Sequence, residues 1–140
     1  VFLTIMNRPF SVSLKFTKTK HLLCRARING HNATLLIDTG ASNSCIHSEL
    51  QEQFQLKIKG DPFDAAGASE GKMTASMTRK CELYLGRHKV GKHAFALLDL
   101  SHVNQTLQSQ GANPIDGILG ADFLIKREIV IDYGKRKLNL

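Results

Sequence analysis

Asn29-Gly30 sits between two apolar runs, and that placement leaves a chain like this few architectures. Upstream, Leu22, Cys24, Ala26 and Ile28 alternate with Arg25 and Arg27, the period-2 signature of a half-buried strand. Asn-Gly supplies the two positive-φ residues of a two-residue type I′ turn, so the following strand, Ala33 to Ile37, must fold straight back. It ends in the unbroken run Leu35-Leu36-Ile37, which predicts a strand covered on both faces. Ser11 to Lys18 repeats the alternation, with Val12, Leu14 and Phe16 on one side.

The remaining segments are equally short. His47 to Phe54 reads as a short helix capped by Ser44, with Leu50 and Phe54 on one face. Lys57 to Glu82 reads as a long exposed hairpin interrupted by the small residues Ala65 to Gly71. Cys81 to Leu85 and Val90 to Leu98 form a further strand pair, and Ser101 to Pro114 is a surface loop or a frayed helix. Ile115 to Leu119 returns as a buried strand, Ala121 to Lys126 has room for two helical turns at most, and Glu128 to Tyr133 and Arg136 to Leu140 close the chain. Many short strands with one or two stub helices argue for an all-β barrel or sandwich and against β-α-β alternation. At 140 residues the chain makes one domain, expected over 11–140 after an N-terminal extension at 1–10, and a core burying roughly 68% of the unfolded surface is within its reach.

Composition narrows the function classes. Nineteen Lys and Arg against twelve Asp and Glu give +7, which invites an anionic partner. The charge is scattered, however: its compact clusters are Lys15–Lys20 and Lys135-Arg136-Lys137, neither carries interleaved aromatics, and Trp is absent. Nucleic acid is therefore not the expected partner. No apolar run approaches the roughly 20 residues of a membrane helix, and Val1 to Met6 lacks the basic flank of a signal peptide. Cys24, Cys45 and Cys81 cannot pair completely and are too far apart for a metal knuckle. They read as buried thiols in a reducing, cytoplasmic compartment. His88 and His93 do not have the spacing of a helical metal pair and read as surface or edge residues. Neither metal nor organic cofactor is expected.

Chemistry concentrates at Asp38-Thr39-Gly40-Ala41. A carboxylate directly after a dry strand is costly to desolvate unless donors hold it. Gly40 lets a backbone N–H approach that carboxylate, and Thr39 offers a short hydroxyl. Taken alone, these residues equally describe a turn-capping Asp. A second segment, Asp116-Gly117-Ile118-Leu119-Gly120-Ala121-Asp122, places small-residue breaks around an apolar pair and then opens a short helix.

Together the two segments, in this order and with a Gly/Ala-rich hairpin between them, resemble the retropepsin-like aspartic proteases over roughly Leu22 to Leu140. The resemblance implies a closed acid-protease barrel and an aspartic endopeptidase. Asp38 would be the catalytic residue, Thr39 and Gly40 would support its loop, and Ile118-Leu119-Gly120 would pack beneath. Ala41, the flap residues Gly67, Ala68 and Ser69, and Ile118 would meet a peptide or protein substrate. Asp116 falls either in a substrate-pocket loop or in a plain turn after Asn113-Pro114. Such chemistry needs two carboxylates around one water, and two ionised carboxylates about 4 Å apart repel by roughly 4 kcal/mol at an effective dielectric near 20, so the pair holds one proton. Since no other Asp of the chain has the apolar-strand-Thr-Gly context, a homodimer is expected, with Asp38 from each subunit meeting on a two-fold axis.

The chain also departs from the family. Retroviral members brace the site with an acidic residue after Asp-Thr-Gly-Ala and an Arg after the second motif's Gly. Ser42 and Ala121 stand there instead, so the brace must be different. The alternative functional reading is a catalytically idle copy of the fold that serves as a dimerisation or peptide-binding module.

Overall fold

A computed structural model describes residues 10–65 and 73–140. The flap tip expected at Gly67, Ala68 and Ser69 and all but the last residue of the 1–10 extension lie outside the described residues. Strand β1 (Ser11–Phe16) pairs antiparallel with β2 (Leu22–Ile28), which turns through Asn29 (φ 49°) and Gly30 (φ 82°) into β3 (His31–Ile37). Both positive φ values are those the Asn-Gly turn requires. The chain continues through β4 (Cys45–His47), the hairpin β5 (Ile58–Ala65) and β6 (Met73–Thr78), and the hairpin β7 (Cys81–Leu85) and β8 (His88–His93). It closes through β9 (Ala96–Leu98), helix α1 (Ser101–Ser109), β10 (Gly117–Leu119), helix α2 (Ala121–Lys126), β11 (Val130–Asp132) and β12 (Lys137–Asn139).

The mostly-β class is as expected, but the sheet does not close into a barrel. Its strands follow an open path, β11-β12-β1-β2-β3-β10-β4-β9-β6-β5, with β7 and β8 branching from β2. Closure needs the two end strands to meet at a regular stagger. Here β11 is a three-residue strand, and β5 loses register against β6 between Lys59 and Phe63.

Three local expectations also change. The helix over His47 to Phe54 reduces to a single 3-10 turn at Ser48–Leu50. Cys45–His47 is drawn into the sheet between β10 and β9, and Ser44 is buried rather than capping a helix. The strand expected at Val90 to Leu98 breaks into β8 and β9. Conversely, Ser101–Ser109 is a full helix with Leu107 buried, clamped because Asn104 donates to the Ile115 carbonyl (3.0 Å) and accepts the Ile115 N–H (2.8 Å).

Helix α1 explains the unbroken run in β3. Leu35 and Ile37 enter the main core with Leu22, Ile46, Phe54, Leu119 and Phe123. Leu36 points the other way, into a smaller cluster with Leu107, Ala112 and Ile115. The end of β3 is therefore dry on both faces, and the chain emerges from it at Asp38. The three cysteines are free and buried. Loss of hydration pushes the Cys24 thiol up to about 12 and those of Cys45 and Cys81 to about 11, so they remain protonated packing groups.

Candidate active site

Strand β10 lies between β3, which it pairs in parallel, and β4, which it pairs antiparallel. Gly117 makes that approach possible: a Cβ there would sit 2.4 Å from the Cys45 carbonyl oxygen. The parallel pairing brings Leu119 opposite Ile37, and Asp38 donates its N–H to the Leu119 carbonyl at 3.0 Å. The two sequence motifs thus meet at the ends of neighbouring strands.

Asp38 is half-buried, and the loop folds over its carboxylate. Gly40 N–H donates to Asp38 Oδ1 at 2.9 Å, and Ala41 N–H to the Asp38 carbonyl at 3.2 Å. A Cβ on Gly40 would stand 3.2 Å from that same carboxylate oxygen, so glycine keeps the approach open. Thr39 is exposed, and its hydroxyl makes no hydrogen bond among the described residues. Asp38 opens onto a cavity of about 350 Å³ whose lining includes Leu36, Val103, Leu107 and Ile118, with His21 and His102 also present. Asp38 is the only carboxylate in that lining among the described residues.

The structure brings Asp38, Gly40, Ala41 and Ile118 together, but it does not bring Asp116 to them. Asp116 stands at the far end of β10 from Asp38, where its Oδ2 accepts the Thr34 N–H at 2.8 Å and its own N–H donates to the Thr34 carbonyl at 2.9 Å. Its carbonyl also accepts the His47 N–H at 2.9 Å.

A brace lies two positions beyond Ser42 in the first segment and one beyond Ala121 in the second. Ser44 donates its N–H (2.9 Å) and its hydroxyl (2.7 Å) to Asp122 Oδ1, and Gly120 N–H donates to Ser44 Oγ at 3.0 Å. Asp122 Oδ2 lies 3.0 Å from Nε2 of His93, which comes from β8. Ala121 N–H donates to the Ala41 carbonyl (2.7 Å) and Asp122 N–H to the Ser42 carbonyl (3.2 Å). Gly120 is again required, since a Cβ there would fall 2.5 Å from the Ala41 carbonyl oxygen.

Electrostatics fit this arrangement. Partial burial raises the Asp122 carboxyl, but the Ser44 hydroxyl and N–H, the Phe123 N–H and His93 outweigh it and hold the group below the usual aspartate range. Burial lowers His93 below the ordinary 6.5, against the opposing pull of Asp122 and with help from Lys126 and Arg127. An ionised carboxylate only accepts, so Nε2 carries the proton of this contact. Of the surface or edge position expected for His93, the edge holds, since β8 pairs with β7 alone among the described strands, but the surface does not: the residue is 9% exposed. No linear motif could have found it, because the contact joins residues far apart in sequence.

A family model described as aspartyl protease matches residues 24–123, a span containing both motifs. Among solved structures, the retroviral protease-like domain of Ddi1 from Leishmania major superposes with a TM-score of 0.62 at 17% identity, covering 86% of this chain and 87% of that one. A retropepsin-like aspartic protease from Rickettsia conorii gives 0.56 at 16% identity, covering 92% and 86%. The EIAV protease, solved with the inhibitor HBY-793, gives 0.52 at 20% identity, covering 78% and 89%. At these identities the superpositions speak for the fold. No curated protein matches the chain. With the family model spanning most of its length, the chain belongs to the aspartyl protease family, and its fold is retropepsin-like.

Proposed function

We propose that the protein is an aspartic endopeptidase that acts as a homodimer, with Asp38 from each subunit sharing one water. The observation that carries the reading is the state of Asp38: a carboxylate at the mouth of a cavity, one oxygen held by Gly40, and no second carboxylate in that cavity among the described residues. Half of an acid–base pair is present, and a symmetric partner supplies the other half. The ionised member takes the proton from the attacking water, and the neutral member donates a hydrogen bond to the developing oxyanion. Thr39, exposed and without a hydrogen bond among the described residues, is the group offered to the partner's loop. Ile118 and the wall formed by α1 receive a substrate side chain beside the scissile bond.

Oxidised insulin B chain is a suitable general substrate, with mass spectrometry of the products as the readout. Cleavage by the wild type that Asp38→Asn abolishes, at unchanged folding, supports the reading. Equal cleavage by both proteins overturns it, and absence of cleavage by a well-folded wild-type dimer favours the idle binding module.

A further inference from the structure

We propose that His93 and Asp122 are positioning residues for Asp38, forming with Ser44 a polar strut that sets the angle at which the Asp38 loop leaves the sheet. This rests on the reading of Asp38 as the catalytic residue.

The loop from Asp38 to Ser44 is tied to the junction of β10 and α2 along its whole length. Asp38 holds Leu119, Ala41 and Ser42 hold the N–H groups of Ala121 and Asp122, and Ser44 holds Gly120. All of these ties but the last are backbone contacts that any sequence could make. The last depends on side chains. Ser44 Oγ accepts from Gly120 while donating to Asp122, so its direction is fixed only while the Asp122 carboxylate stays in place.

Asp122 sits on a six-residue helix, too short to be rigid by its own hydrogen bonds. His93 supplies the missing anchor from β8, across the core. The ring is itself held edge-on by Phe95 (5.1 Å between centroids) and Phe123 (5.4 Å). The charged groups acting on it are Asp122, Lys126 and Arg127. Burial first, and the two cations with it, disfavour a positive charge on the ring, against the pull of Asp122, and leave a neutral ring donating to an ionised carboxylate. A strut of this kind moves the reacting carboxylate without touching it, and a displacement of about 1 Å can cost up to 10²-fold in rate.

The test uses the full chain with three variants, His93→Phe, His93→Gln and Ser44→Ala, each checked for melting and dimerisation. On oxidised insulin B chain, His93→Phe and Ser44→Ala should lower kcat roughly tenfold to a hundredfold, with KM within about twofold of wild type. His93→Gln, whose amide can still donate to Asp122, should recover much of that loss. In parallel, amide resonances of Ser44 and Gly120 are followed through the titration of the His93 ring. They should shift with it in the wild type and lose that step in His93→Gln.

Unchanged kcat in a folded His93→Phe, a loss explained wholly by unfolded protein, or amides indifferent to the His93 ring would each overturn the proposal. If wild type and Asp38→Asn cut alike, the protease reading falls instead, and the amide titration alone decides whether the strut governs the loop.

Discussion

Ser44 Oγ and Asp122 Oδ1 lie 2.7 Å apart although 78 positions separate them in the chain. Their contact stands two positions beyond Ser42 and one beyond Ala121, the positions at which the family resemblance implies a charged brace. A charged brace has thus given way to a hydroxyl–carboxylate–imidazole chain. Removing one partner of such a network leaves a partly buried acceptor without its donor, which costs more than the bond contributed.

Dimer formation should control activity. With Thr39 exposed and without a hydrogen bond among the described residues, Thr39→Ala should weaken association by about 1–3 kcal/mol summed over two symmetric copies, while leaving monomer melting near wild type. Sedimentation across a dilution series, beside specific activity at the same concentrations, checks this. Activity per subunit that stays constant after the dimer has dissociated would contradict a shared site.

The Asp38 loop and the β2–β3 turn were legible because both are local: Asn29-Gly30 dictates its own turn, and a carboxylate after a dry strand announces itself. His93 was not. A register break between Leu83 and Tyr84, with Gly91 at φ 105°, shifts the phase of β8 so that His93 faces inward. Alternation read along the sequence cannot anticipate a bulge. Helix α1 was ambiguous because it buries Leu107 alone, and the clamp that fixes it comes from Asn104. The open sheet was illegible for a different reason, since closure depends on strands distant in sequence.

The two glycines of β10 and its end should be intolerant of any side chain. Gly117→Ala and Gly120→Ala place a Cβ within 2.4 and 2.5 Å of backbone oxygens, which cannot swing aside. Each should cost about 1–3 kcal/mol or more, read as a lowered denaturant midpoint. Gly134→Ala, whose Cβ would meet Asp132 Oδ1 at an ordinary 3.4 Å, is the control and should be nearly silent. Equal losses at all three positions would show that close packing is not the cause.

Ile118 and Leu119 are neighbours with opposite duties. Leu119 is fully buried in the main core, and Leu119→Ala should cost about 2–5 kcal/mol. Ile118 lines the cavity beside Asp38, so Ile118→Ala should cost less stability and instead shift cleavage towards bulkier side chains. Product mapping on oxidised insulin B chain distinguishes the two effects. An unchanged cleavage map for Ile118→Ala would remove Ile118 from the substrate site.

Acid should weaken the fold through the same strut that braces the loop. His93 titrates below its unfolded value of 6.5 in the folded chain, so between the two values the unfolded chain binds more protons and stability falls as pH drops. Asp122, held below 3.8 in the fold, behaves alike in sign. Its contribution is present above 3.8 and is lost as pH falls through its folded value. Thermal melts from about pH 7 down to about pH 3 should therefore show one loss beginning just below the ordinary histidine range and a second below the ordinary aspartate value. His93→Gln should erase the first and keep the second. A variant whose melting temperature follows the wild-type pH curve throughout would show that His93 does not carry the upper step.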